Sequence, residues 1–405
     1  MLRQTLSLAA RNLTRHRRRT LVTAAGMCLG VTAALVLQGF VVGLLGLIGG
    51  VMVQGRLGAV QVHKVGHLQA DQEALQFTLP LDPALMAQIE AVPGVVAVAP
   101  RLSFEATIGN GSQSTLALVT AIDSVREAKV CPQRFRNVLG AAIGRDDLAV
   151  AVLGIKLAAG LRAENGENLQ LLAQGQGGQP NVVDIKVLGR APAAVEMDAR
   201  RLVMTTLPHA QALLQMPNMV SEYAIGIART DQADAVARQL QHVLGPKYQV
   251  VSWLDLLPQL RSILGLLSSV MAIVVGVLLS LMVTAVANTM VMSVHERTRE
   301  IGTMMALGAR RHWLMRLLLA EACLLGVLGT ATGAVLGTLL VAQLHAHGVT
   351  FTPPGADVPS TLVPSVDVWA VLLTTAVALT GAVTAGVGPA WRASKLTPTE
   401  CLRMT

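Results

Sequence analysis

Four stretches of this chain run uncharged for longer than a bilayer is thick. Leu21–Gly55, Ser262–Val294 and Val368–Trp391 hold no Asp, Glu, Lys or Arg, and Leu317–Leu344 holds only Glu321. A membrane-spanning helix needs about 20 predominantly apolar residues. Four spanning helices are therefore expected, and the whole-chain charge of 14% agrees, since soluble domains carry about a quarter. One long polar segment, residues 51–255, separates the first two spans and is large enough for one or two modest folded domains.

Charge placement sets the orientation. Between residues 51 and 261, 18 basic residues are balanced by 18 acidic ones, so the net charge of +8 lies elsewhere. Arg3, Arg11, Arg15, Arg17, Arg18 and Arg19 precede span one; Arg297, Arg299, Arg310, Arg311 and Arg316 surround the turn between spans two and three; Arg392, Lys395 and Arg403 follow span four. The connection His345–Asp367 has no Lys or Arg. By the positive-inside rule both termini and the middle turn face the cytoplasm, and the large segment faces outward. The basic start thus reads as an orientation signal before a span, and no nucleic-acid partner is expected.

An apolar run of 35 residues behind RHRRR is too long for the 7–15-residue core of a signal peptide. An uncleaved anchor is expected. Cys28 lies deep in that run behind Met27, not a small residue, so it reads as packing and not a lipidation site. Cys28, Cys323 and Cys401 belong to the membrane or the cytoplasm, which leaves Cys131 alone outside and excludes an external intrachain disulfide. If its thiol is exposed within its domain, Cys131 is expected to meet an impermeant thiol reagent from outside, and Cys401 only after permeabilisation.

The external segment reads as mixed α/β. Gly58–Val65, Val95–Ile108 and Ser114–Ile122 are strand-like, with a helix from Asp82 to Ala91, which gives one βαββ unit. DLAVAVLG from Asp147, NLQLLAQG and VVDIKVLG begin a second unit, with GQGGQ as a hairpin tip. RLVMTTL, SEYAIGIA and YQVVSW add strands, separated by helices over 208–214 and 231–244. Two subdomains are expected. Beyond Trp253 the pattern turns helical and runs into span two, with Pro258 in its first turn. Spans one and two each reach roughly 50 Å at 1.5 Å per residue against a hydrocarbon core near 30 Å, so both are expected to project outward as stalks. Tilt of the helices, or an interfacial turn at Gly49 and Gly50, is the alternative.

Enzymatic signatures are missing. The chain has no Gly-Lys dipeptide and so no phosphate-binding Walker A loop. His63 and His67 could pair on a helix, but they sit in a strand-like segment without a third ligand, and no metal site is expected.

The segment Ser293–Gly337 carries the most information. Ile301, Met304, Met305 and Leu307 make one apolar side of a short amphipathic helix; Glu296, Arg297, Arg299 and Glu300 make its polar side, and Gly308 stops it. It would lie at the inner membrane face, as an interfacial anchor or against a partner groove, which adjacent methionines suit. In the next span Glu321 is the one intramembrane acid; structural pairing with Arg316 and a functional role are both open. Gly326, Gly329, Gly333 and Gly337 share a face, as do Gly26 with Gly30 and Gly39 with Gly43, which predicts close helix packing, within the chain or at a dimer seam.

ERTREIGTMMALGARR, followed by Glu-Ala in a glycine-rich span, resembles the FtsX-like or MacB-like permease family of ABC transporters. PAWRASKLTPTECLR (389–403) resembles that family's C-terminal end and AARNLTRHRRRTLVTAAG (9–26) its N-terminal approach to span one. LGAVQVHKVGH, PGVVAVAPRLSFEATI and VLGIKLAAGL are most similar to its lipoprotein-releasing, Lol-type branch. The resemblance implies an α-helical membrane protein with four transmembrane helices and a mixed α/β periplasmic domain, of porter-like and sabre-like subdomains, between the first two. The implied layout is an amphipathic helix at 1–20, span one with its stalk at 21–50, the periplasmic domain at 51–255, stalk and span two at 256–294, a coupling helix at 295–311, span three at 313–344, a periplasmic loop at 345–366, span four at 367–390 and a cytoplasmic tail at 391–405. It further implies a bacterial inner-membrane location, no cofactor in this chain, and ATP and Mg bound by a separate cytoplasmic ATPase dimer. A second copy or a paralogous permease, a periplasmic carrier or adaptor, and a lipid or lipoprotein substrate are the other implied partners. Glu296, Arg297, Arg299, Glu300, Ile301, Met304, Met305 and Leu307 would then couple to the ATPase. Val42, Leu45, Ile48, Met52, Leu264, Leu267 and Met271, near the outer ends of spans one and two, would line the substrate path. Efflux of a peptide, haem-like or antibiotic molecule, and activation of an external cell-wall hydrolase without transport, are the alternative functions.

Overall fold

The computed structural model describes residues 2–15, 17–67, 74–136, 138–175, 177–192, 196–351 and 359–395. Cys401 and the last part of the C-terminal motif lie outside them, as does Gln176 in the expected hairpin tip. The chain divides into two compact units: Met1–Leu45 with Ile263–Val349 and Leu362–Thr405, and Gly46–Ser262 with Thr350–Thr361.

The first unit is helical. An amphipathic helix, Leu2–Arg15, precedes span one, Arg17–Met52; span two is Pro258–Glu296, span three Arg311–His347 and span four Val368–Lys395, with a short helix, Thr298–Ala306, between spans two and three. All four long helices are apolar enough to cross a membrane. Spans one and two, of 36 and 39 residues, are about 54 and 58 Å long at 1.5 Å per residue. Helix continues through Gly49 and Gly50, so no interfacial turn forms there. The core of this unit is built at every fourth residue: Met27, Val31 and Leu35 from span one, Met282, Val286, Met290 and Val294 from span two, and Leu314, Leu318 and Ala322 from span three. That spacing places each set on one helix face.

Span three meets span one without side chains between the backbones. A Cβ on Gly329 would come within 2.6 Å of Met27 Cβ, and one on Gly333 within 2.7 Å of the Cys28 carbonyl oxygen. Gly337 lies as close to Leu35. The glycine face of span three is therefore used within the chain. Of the matching glycines in span one, Gly39 and Gly43 abut Val366 and the Val363–Pro364 backbone, while nothing lies within 4 Å of a Cβ on Gly26.

The second unit is a mixed sheet with helices packed on it. Its strands are β1 (Val60–Lys64), β2 (Leu79–Pro80), β3 (Val95–Gly109), β4 (Ser114–Ile122), β5 (Leu139–Gly140), β6 (Val150–Gly154), β7 (Asn168–Gln174), β8 (Pro180–Ala191), β9 (Leu202–Thr206), β10 (Met219–Val220), β11 (Glu222–Ile227) and β12 (Tyr248–Ser252). The order is β12-β1-β11-β3-β4-β9-β6-β8-β5, with β7 bridging β3 and β8, and β2 pairing separately with β10. The two expected lobes thus share one sheet, joined where β4 runs parallel to β9 in the register Leu118–Leu202 to Ile122–Thr206. Local chemistry sets the elements: Asp82 accepts from Ala84 N–H and Pro83 opens the helix Pro83–Glu90, while Asp123 caps Ser124–Val130 through Val125 and Arg126. β7 alternates exposed and buried residues along its whole length, as a half-buried strand must.

The condition set for Cys131 labelling is not met: the residue is fully buried, held by Arg101 and by the main chain of Val53, and so is shielded from an impermeant thiol reagent. His63 and His67 stack with ring centroids 4.6 Å apart; no group of three or more His, Cys, Asp or Glu able to hold a metal occurs among the described residues.

Candidate functional site

The short helix Thr298–Ala306 begins after a single non-helical residue, Arg297, at the end of span two. Arg297 reaches two carboxylates: its Nε donates to Glu300 Oε2 at 3.1 Å and its Nη1 to Glu321 Oε1 at 2.9 Å. The i,i+3 spacing to Glu300 is what a first helical turn brings together. Glu321, buried on span three, accepts a second hydrogen bond from Asn12 of the N-terminal helix. Arg15 bonds Glu300 at 3.0 Å and Arg19 bonds Glu296 at 2.6 Å. One polar lattice therefore ties the N-terminal helix, the start of span one, the end of span two, the short helix and span three.

Glu321 pairs with Arg297 and not with Arg316, which is exposed. Arg297 is largely buried, and its ion pair with the half-exposed Glu300 is reinforced by Arg15. Burial, the largest effect on Arg297, lowers its pKa, but the charges and hydrogen bonds of Glu321 and Glu300 together raise it above the usual arginine value; Glu300 is held below the usual carboxylate range chiefly by the Arg297 hydrogen bond.

The apolar side divides likewise. Ile301 is buried, and Met304 and Met305 pack partly buried on the helical core, so the methionines serve the bundle first. Leu307, in contrast, is 89% exposed, and Arg299, on the first turn of the helix, is exposed too. Leu307 follows the last helical residue, immediately before Gly308 at φ +91°, a conformation glycine adopts readily. The exposed apolar surface of this helix is its tip.

The residues expected along the substrate path differ in exposure within one chain. Val42 and Leu45 are exposed on span one, while Ile48 and Met52, further along the same helix, pack partly buried against the core of the sheet unit. On span two Leu264, Leu267 and Met271 are half-buried; the exposed positions are Ile263, Leu266, Val270, Ile273 and Val277. Their three- and four-residue spacing makes a continuous outward stripe. Span two is the least enclosed of the four, 11% of its apolar window being buried against 39% in span three.

Comparison with known proteins follows this division of the chain. Residues 20–243 match the MacB-like periplasmic core domain and residues 271–398 the FtsX-like permease C-terminal family. The lipoprotein-releasing system transmembrane protein LolC of Xylella fastidiosa is 25% identical over 328 residues, covering 77% of this chain and 78% of that protein. LolC of Neisseria meningitidis serogroup B is 24% identical over 412 residues, 95% of this chain and 94% of its own. The macrolide export ATP-binding/permease protein MacB of Syntrophobacter fumaroxidans is 34% identical over 194 residues, which span 45% of this chain but 26% of that longer protein.

Proposed function

The chain belongs to the FtsX-like, MacB-like family of ABC transporter permeases, and from that premise we propose that it couples ATP hydrolysis by a separate cytoplasmic ATPase to the extraction or export of a lipoprotein or similar amphiphile at the periplasmic face. The observation that carries this reading is the lattice around Glu321. A short helix tied by Glu300 to Arg15 of the N-terminal helix and, through Arg297 at its start, to Glu321 of span three, beside the Arg19–Glu296 pair that joins spans one and two, moves with them. A partner that displaces its tip displaces the inner ends of the spans. Spans one and two, each longer than the bilayer core, then act as stalks that carry the displacement outward. ATP and Mg belong to the partner; this chain supplies the lever.

The amphiphile is favoured over a small drug by the Lol-type relatives that align along most of the chain and by the exposed apolar stripe of span two. Each CH₂ of a lipid chain taken from the bilayer must be matched by about 0.8 kcal/mol of apolar contact. A second copy or a paralogue set against that stripe would provide it, with Val42 and Leu45 contributing from span one. The termini and the short helix face the cytoplasm and the sheet unit the periplasm in this reading.

The test is made at the tip. Leu307→Asp removes the exposed apolar contact without touching the bundle, so the ATPase should fail to copurify while the permease keeps its thermal stability. Met304→Asp should instead lower that stability. Full ATPase recovery with Leu307→Asp would assign the tip to the membrane surface. Stimulation of the restored wild-type complex by macrolides and not by a triacylated lipopeptide would replace lipid extraction with efflux.

A further inference from the structure

Span one ends in a wider turn, Val53–Leu57, and three carbonyls of that turn are held by side chains of the sheet domain. The Cys131 thiol donates to Val53 O at 3.2 Å, Arg134 Nη2 to Arg56 O at 2.9 Å, and Arg101 Nη1 to Leu57 O at 3.1 Å. These donors converge on one carboxylate. Arg101 grips Glu127 with two prongs, Nε and Nη2, at 2.9 and 2.7 Å, and Arg134 Nη1 reaches Glu127 Oε1 at 2.8 Å. Arg101 Nη2 also donates to Cys131 Sγ at 3.1 Å, and Glu222 lies 3.3 Å from Arg101 Nη1. Glu127 and Cys131 are fully buried and Arg101 is 1% exposed. Burial, helped by the Glu127 charge, raises the Cys131 thiol pKa against the opposing arginines, which keeps its proton available for Val53.

The C-terminal end of a helix carries the negative end of its dipole, so two guanidinium groups suit it, and the Cys131 thiol adds to the Gly58 N–H already on Val53 O. Stability is a poor explanation for building the joint this way, because a buried ionic cluster is commonly no more stable than apolar packing of the same shape. Direction is the better one. Apolar contact has no preferred angle and would let a helix end turn or slide, whereas charge-assisted hydrogen bonds to main-chain oxygens fix it both along and about its axis. Arg101 stands on β3, Glu222 on β11, and Glu127 on the helix Ser124–Val130, so a pull on the turn is spread over the sheet.

We propose that Glu127, acting through Arg101 and Arg134, is the positioning residue of a clasp that locks the outer end of span one to the sheet domain, so that displacement of this helix reaches the domain without slip. The clasp rests on the force-transmitting role proposed above.

Two measurements on the full permease–ATPase complex in nanodiscs test it. The first is the number of fluorescent triacylated lipopeptides passed to albumin per ATP hydrolysed. Loss of folded complex lowers release and hydrolysis together and leaves this ratio unmoved; slippage lowers the ratio itself. Arg134→Met should reduce it about tenfold, as expected for a lost charged hydrogen bond. Arg134→Lys, which can serve only one of two acceptors, should fall between, and Cys131→Ala should have the smallest effect. The second is dipolar broadening between spin labels at Gln54 and Gln133, which are hydrogen-bonded across the joint at the surface, with the native cysteines at positions 28, 323 and 401 replaced. It should be unaltered by ATP in the wild type and lost in Arg134→Met. Persistent broadening in Arg134→Met, or an unchanged transfer ratio, overturns the clasp. A wild-type complex that hydrolyses ATP without passing lipopeptide sinks the lipid-extraction reading instead, and the spin labels still decide the joint.

Discussion

Glu321 is an ion in a membrane-spanning helix, a placement that costs about 2.5–3.5 kcal/mol even on lenient scales. Arg297 and Asn12 offset it. Removing one partner of a buried ion pair strands the other, so Arg297→Met should destabilise the permease by about 3 kcal/mol, read as a lowered melting temperature in detergent. Arg297→Met with Glu321→Gln should recover most of that loss; if the double variant melts no higher than the single one, the pair is not the energetic unit. The choice of partner was partly legible from sequence. Arg316 lies five residues before Glu321, about 140° away around a helix, whereas only three- and four-residue spacings face each other. That Arg297 would approach from the end of another helix had no local signal. In the sheet domain, burial lowers the His63 pKa from 6.5 to about 4, with Glu222 opposing and His67 adding to the shift. The unfolded chain then binds the extra proton between these values, so stability is complete above pH 6.5 and drains as pH falls toward 4. The loss approaches about 3 kcal/mol at 1.36 kcal/mol per unit. His63→Gln should flatten the acid limb of the domain's melting curve; an unchanged limb would mean the proton goes elsewhere.

Among the elements, the glycine face of span three is the most exacting. Gly333 faces Cys28 O and Val31 Cβ at distances no side chain tolerates, so Gly333→Leu must push spans one and three apart. The full-length protein should then lose thermal stability and trypsin resistance, whereas Gly26→Leu, which meets open space, should be nearly silent. Equal tolerance at both sites would relocate the seam. The glycine spacing was visible in the sequence, but the partner surface was not, because Met27, Cys28 and Val31 look like any other apolar residues. Strands with clear alternation and the Asp82-Pro83 start of a helix were legible for the same local reasons that make them fold. The turn Val53–Leu57 was not, since the apolar run continues through Gly55 without a break in pattern. Arg101 escaped notice because an arginine within a strand ordinarily reads as solvent-facing; only its distant partners Glu127 and Glu222 explain its burial.

For the molecule as a whole, the sheet order could not be read from the sequence, because β4 and β9 pair across about eighty intervening residues and no local pattern records such a contact. The orientation proposed from the arginines can be checked directly. With the native cysteines at positions 28, 323 and 401 replaced, Ser112→Cys at the exposed tip of the β3–β4 hairpin should react with an impermeant maleimide in intact spheroplasts, and Leu307→Cys only after permeabilisation. The opposite order would invert the protein in the membrane. The lattice at the inner ends of the spans has one more effect. With Glu296 and Glu300 already neutralised by Arg19 and Arg15, what projects around Leu307 is mainly the positive field of Arg299, Arg310 and Arg311, all exposed. Such a field draws an acidic partner from solution and is screened over about 8 Å at physiological ionic strength, while the more enclosed Arg297–Glu321 pair is screened far less. Added salt should therefore slow capture of the ATPase well before it loosens the lever that the ATPase drives.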